Sequence, residues 1–131
     1  MTQQRRDEHS TEFGIWLRQQ PEIDSKLGYI ATNLDYIWQN YKTGEFMLIE
    51  EKRHGAFVRN PQSSIFKTLH DCIVSEKYKG LHVLVFTNTN PDDGKTILDG
   101  KIINRVELIN FLTFKANADV YKTTFYLEEQ R

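Results

Sequence analysis

Two carboxylates and one ammonium stand where a hairpin would bring them together. Asp35 lies at the head of Asn33-Leu34-Asp35-Tyr36-Ile37-Trp38, and past a turn at Thr43-Gly44 the stretch Glu45-Phe46-Met47-Leu48-Ile49-Glu50-Glu51-Lys52 ends in charge. Read as an antiparallel hairpin, the second strand carries Glu50 and Lys52 on one face, because residues two apart in a strand share a face. The facing strand then sets Asp35 beside them. Such a group suits a hard divalent ion: magnesium takes oxygen ligands, keeps several waters and needs only one or two carboxylates plus a substrate phosphate. A metal there activates water and offsets charge on phosphorus oxygens, while a neighbouring lysine orients the attacking group or shares that charge. Phosphodiester hydrolysis is the chemistry that fits. The plain alternative is a surface ion pair between Glu50 and Lys52 on a solvated edge strand. Against it stands the run Phe46-Met47-Leu48-Ile49, apolar on both faces, which argues for a central strand where unpaired charge is costly.

The order and spacing of these residues resemble the PD-(D/E)XK nuclease superfamily, whose fold is shared by many restriction endonucleases, phage exonucleases and archaeal Holliday-junction resolvases. Asp35 matches the first acidic position and Glu50-Glu51-Lys52 the acidic-x-lysine triplet; Glu51 stands where an apolar residue is usual. The resemblance implies that Asp35 and Glu50 hold the metal together with the main-chain carbonyl of Glu51, and that Lys52 acts near the attacking water. It implies magnesium as cofactor, with manganese expected to substitute. The Glu51 side chain either faces a solvated side or adds a further acidic ligand. Many members carry a glutamate on the helix before the hairpin, and Glu12 is the candidate for that ligand. It lies in Ser10–Leu17, where Ser10 is the expected N-cap and Phe13, Trp16 and Leu17 share one side; an acid in the first turn equally complements the helix dipole. Gln62 stands where several nuclease and resolvase branches place a glutamine that contacts the site or the DNA backbone.

The remaining chain supplies the elements that position this group. With 131 residues, 39% of them apolar, it is long enough for one core and short for two ordinary domains, so one domain over 9–131 is expected behind a disordered tail over 1–8. Asn60-Pro61 supplies an N-cap and a first-turn proline, and Ile65, Phe66, Leu69, Cys72 and Ile73 recur at helical spacing to about Ser75. Cys72 is expected in the core rather than as a nucleophile. Leu81–Thr87 reads as a buried strand, so strand, helix and strand make a parallel pair. Asp99-Gly100 marks a tight hairpin, Asn104 and Glu107 a capping box for a helix through Leu112, and Asp119–Leu127 alternates like a terminal strand. The fold class is α/β; the resemblance makes it restriction-endonuclease-like, a mixed central sheet flanked by helices.

Several other groups carry less. His82, inside an apolar strand, reads as a satisfied core histidine. Gly94-Lys95-Thr96 ends like a phosphate-binding loop but lacks the upstream glycine and a following helix. Asp92 and Asp93 suit local turn bonding. Seventeen Lys and Arg against eighteen Asp and Glu give a net charge of −1, so a nucleic-acid surface must be local. Arg53, Arg59 and Lys67, flanking the triplet, are its candidate DNA contacts together with Gln62. No stretch is long enough to span a membrane and no secretory signal is present, so a cytosolic protein is expected, or one in the host cytoplasm if phage-encoded. The reading is a magnesium-dependent DNA endonuclease. Two alternatives stay open: a dimeric resolvase of the Holliday-junction type, and an inactive nuclease-fold protein that binds nucleic acid or inhibits; RNA is not excluded as substrate.

Overall fold

Met47, Leu48 and Ile49 are consecutive and all buried, which a strand achieves only with both faces covered and a partner on each edge. The computed structural model, which describes residues 11–122, places them in the centre of β2 (Phe46–Lys52). This strand pairs antiparallel with β1 (Tyr36–Gln39), Tyr36 opposite Ile49 and Trp38 opposite Met47, and parallel with β3 (Tyr78–Phe86). The sheet continues through β4 (Thr96–Leu98) and β5 (Lys101–Ile103), both antiparallel to their neighbours, in the order β1-β2-β3-β4-β5. The expected hairpin and parallel crossover are thus present in a five-stranded mixed sheet flanked by helices. The chain divides into two units, Met1–Thr32 and Asn33–Arg131, and the sheet belongs to the second. The expected tail over 1–8 lies outside the described residues.

In the first unit, α1 (Glu12–Arg18) is capped by Thr11, whose hydroxyl accepts from Gly14 N at 3.0 Å. Ser10, the expected cap, lies outside the described residues and the role falls to its neighbour. Phe13 and Trp16 stack at 6.0 Å between ring centroids, and two short 3₁₀ turns, Pro21–Ile23 and Ser25–Leu27, follow.

In the second unit, the β1–β2 turn is held by Asn40, whose side chain accepts from Lys42 N at 2.9 Å. The crossover helix α2 (Asn60–Cys72) starts one residue earlier than expected, with Arg59 at the N-cap. Pro61 permits this, since its missing N–H is one of the first four that have no partner within a helix. Cys72 is exposed, against expectation. The helix buries the Ser63 and Phe66 side, and six residues on from Phe66 a side chain points about 240° around the axis. β3 begins three residues before the expected Leu81 and changes register with β2 at Gly80. Gly80 has φ +97°, and a Cβ there would lie 2.7 Å from Tyr121 O and 2.8 Å from His82 Nε2, so only glycine fits.

One layer of core, Leu48, Val58, Phe66, Leu81 and Val83, lies on the α2 face of the sheet. On the other face, Met47, Ile49, Leu84, Phe86 and Leu98 pack with Leu108 and Phe111 of α3 (Arg105–Leu112), whose capping box between Asn104 and Glu107 is closed in both directions at 2.8 and 2.9 Å. The expected terminal strand is corrected over its described part: 118–122 form a short helix, α4 (Ala118–Lys122), and 123–127 lie outside the described residues. Tertiary packing overrides strand propensity here. Tyr121 stacks on Phe111 at 5.8 Å and its hydroxyl accepts from Ala116 N at 3.1 Å, contacts that an extended chain would break.

The Asp99-Gly100 turn has φ of 49° and 87°, the left-handed pair a two-residue hairpin demands. Asp99 does a second task. Its carboxylate accepts from Val83 N at 2.9 Å and lies 2.6 Å from His82 Nδ1, while His82 Nε2 lies 2.7 Å from Lys79 O. The imidazole is fully buried, edge-on to Phe111. No helix among the described residues is long and apolar enough to cross a membrane. Asp99→Ala leaves a buried imidazole and a backbone N–H without their acceptor, and should cost about 3–5 kcal/mol in urea unfolding. Asp99→Asn, which keeps one acceptor and tolerates positive φ, should cost clearly less; equal losses would show that the negative charge of the carboxylate, and neither the turn conformation nor a single neutral acceptor, carries the effect.

Candidate functional site

Asp35 precedes the pair Tyr36–Ile49 by one residue and therefore stands opposite Glu50, on the face that α2 covers. The main chain and the carboxylates interlock there. Asp35 N donates to Glu50 Oε1 at 3.3 Å, and Glu51 N donates to Asp35 Oδ2 at 2.8 Å. Lys52, two residues on from Glu50, sets its ammonium 3.2 Å from Glu50 Oε2. Gln62, from the first turns of α2, binds both: its amide nitrogen donates to Glu50 Oε2 at 3.0 Å and its carbonyl oxygen accepts from Lys52 Nζ at 2.9 Å. Four of the sequence-derived candidates, Asp35, Glu50, Lys52 and Gln62, are thus one hydrogen-bonded group.

Burial grades across the group. Glu50 is 3% exposed, whereas Asp35 is exposed and Lys52 intermediate, so the cluster opens toward Asp35. Burial, and after it the charge of Asp35, raises the Glu50 pKa above its ordinary value; Lys52 offsets this only in part. A cation on this edge would relieve that unfavourable charge, and two hard oxygen donors are the right chemistry for magnesium. The Glu51 main chain fits as well. Its N–H faces Asp35, and in a strand the N–H and C=O of one residue point to the same side. Among the described residues no group of three or more His, Cys, Asp or Glu side chains converges, so the side-chain donors here are the two carboxylates.

Within the second unit, the Glu51 side chain, Arg53, Arg59 and Lys67 stand outside this hydrogen-bonded group. The Glu51 side chain points to the opposite face, where its two oxygens accept from Tyr36 Oη at 3.1 Å and Arg53 Nε at 2.9 Å. The hydrogen bond to Glu51 raises the Tyr36 pKa. Arg53 is therefore turned away from Lys52. Arg59 is exposed at the head of α2, and Lys67, on the same helix, pairs with Asp71 at 2.7 Å. Glu12 occupies the first turn of α1, in the first unit. Sequence reasoning missed Tyr36, which fixes Glu51; the signal was the hairpin register, which sets Tyr36 opposite Ile49 and so diagonal to Glu51 on the same face. No protein-family model matches the chain, and no curated protein or solved structure matches it either.

The raised Glu50 pKa has a direct consequence for stability. The folded state keeps Glu50 protonated to higher pH than the unfolded chain does, so its contribution falls as pH rises from the ordinary value of 4.5 through the folded titration. The neutral isostere Glu50→Gln should leave the thermal midpoint unchanged in acid and raise it at neutral pH. Calorimetry at both pH values checks this. A lower midpoint for Glu50→Gln at neutral pH would mean that the contacts of Lys52 and Gln62 outweigh burial.

Proposed function

We propose that the chain is a magnesium-dependent DNA endonuclease with a restriction-endonuclease-like fold. The observation that carries this reading is the convergence of Asp35, Glu50, Lys52 and Gln62 on one face of the β1–β2 hairpin, with Glu50 buried beside a second carboxylate. A structural ion pair needs no Asp35, no glutamine shared by both partners and no burial. The hairpin followed by a crossover helix and a parallel strand supports the same reading.

Asp35, Glu50 and the Glu51 carbonyl would hold the metal. When bound, the ion supplies positive charge at the scissile phosphate and lowers the pKa of a water beside it. Lys52 presents an ammonium to the charge that develops on the phosphorus oxygens, and Gln62 keeps that ammonium at the site by accepting a hydrogen bond from it. Arg59, at the N-cap of α2, and Lys67, on the helix, contribute phosphate contacts. The Lys67–Asp71 pair is solvent-exposed and worth little, so a phosphate can displace the carboxylate.

Purified protein with plasmid, linear duplex, single-stranded and branched DNA, in magnesium, manganese or chelator, tests this directly. Cleavage of closed circular DNA in either metal, and none in chelator, is expected. Asp35→Ala and Glu50→Ala should abolish cleavage and also remove the rise in thermal midpoint that magnesium gives the parent protein. Lys52→Met should retain that rise while the rate falls by about 10²–10³-fold. Replacing Arg59 and Lys67 together should reduce the slope of log affinity against log salt by about two. DNA binding without cleavage of any substrate would turn the reading to a binding protein that has lost turnover.

A further inference from the structure

The face of β1 and β2 opposite Asp35 and Glu50 carries a pocket of about 330 Å³. Ile49, Leu84 and Phe86 form its floor, Tyr36 and Trp38 rise at the β1 side, and Glu51 stands at its wall. A pocket of this size, mostly apolar with one charged group, suits a small molecule or a single heterocycle. Tyr36 and Trp38 remain 50% and 43% exposed, unusual for two aromatic rings beside a core that has room for them. They alternate along β1, so their attachment points lie about 7 Å apart on one face, room for one planar ring system between or against them. Both are already fixed: Trp38 Nε1 donates to Leu112 O at 2.7 Å and Tyr36 Oη donates to Glu51. Little side-chain freedom is left to lose on binding.

Glu51 supplies the polar contact. Arg53 and Tyr36 each take one lone pair of a different carboxylate oxygen, which leaves each oxygen free to accept again. A planar group that stacks on aromatic side chains and offers N–H donors from its edge is a nucleobase. We propose that this pocket receives a base of the nucleic-acid strand, stacked on Tyr36 and Trp38 with its donor edge on Glu51. The assignment of the strand as source rests on the nuclease reading. A strand whose phosphate lies on the Asp35 face passes over β1, the edge of the sheet among the described residues. The same hairpin would then read a base on one side and hold the phosphate on the other.

The acceptor-only carboxylate sets an order of preference. Guanine presents two adjacent donors, N1–H and the N2 amine. Thymine presents one N–H between two carbonyls that a carboxylate repels. Trp38 reports on the pocket, since the chain has only one other tryptophan, Trp16, and the Trp16→Phe protein removes it. Titration of that protein with guanosine or thymidine, without metal, should give saturable quenching that is stronger for guanosine. Tyr36→Ala and Glu51→Gln should each weaken guanosine binding about tenfold or more, whereas Lys52→Met should not change it. A single-stranded oligonucleotide should lose affinity when its guanines are replaced by abasic sites. No saturable binding of any nucleoside, or binding indifferent to both Tyr36→Ala and Glu51→Gln, would overturn the proposal. Guanosine binding without cleavage of any DNA would leave the pocket standing and remove the nuclease reading; cleavage without nucleoside binding would do the reverse.

Discussion

Side chains along a strand alternate between its faces, and in this protein that constraint acts on a strand covered on both sides. β2 cannot slip by one residue relative to β1, because Met47 and Ile49 would exchange places with Leu48 and the two core layers would each receive the wrong set. Burial of those three residues therefore also decides where the charges that follow must point. Glu50 and Lys52 are carried to the α2 face, Glu51 and Arg53 to the other. The two polar groups of the hairpin are set on opposite faces by the hydrophobic packing of the three residues that precede them in β2.

The Glu50 carboxylate shows what that placement costs. A buried carboxylate beside a second one is unfavourable, and the protein offsets it with an ammonium, an amide from α2 and a main-chain N–H from Asp35. Gln62 matters because it ties the helix to the strand through polar contacts, at the end of β2 where the α2-face core gives way to polar groups. The buried pair of His82 and Asp99 plays a different part. It lies on the other face and joins β3 to the β4–β5 turn through the Asp99 carboxylate, with aromatic rings closing around it. One polar cluster opens toward solvent through Asp35; the other is sealed.

What could be read from the sequence follows from how local each signal is. The hairpin was legible because the four apolar residues Phe46–Ile49 and the Thr43-Gly44 turn lie side by side in the chain. The Asn104–Glu107 capping box and the Asp99-Gly100 turn are equally local. Gln62 was reached through a resemblance, since nothing in its neighbours says that a helix will aim it at Glu50. Cys72 was misplaced because a helical pattern counted over Ile65, Phe66 and Leu69 is broad enough to include it, while the observed buried side is narrow. Tyr121 was read as part of a strand because its stacking partner, Phe111, sits ten residues earlier and across a turn. The second task of Asp99 was invisible for the same reason: its partner is seventeen residues away, and only the assembled sheet brings the two together.

β1 has four residues, all exposed, and pairs along one edge only among the described residues, whereas β2 is held on both. Local opening of a sheet begins at such strands, and their amides exchange with solvent at a lower free-energy cost than those of the interior. Asp35 is thus attached to the part of the sheet that opens most readily, and Glu50 and Lys52, with Gln62 of α2 bonded to both, to the part that opens last. The cluster is a rigid jaw facing a hinged one. Anything that bridges Asp35 and Glu50 also closes the hinge, so amide protection along 35–39 is a measure of occupancy at the cluster that needs no chemical turnover.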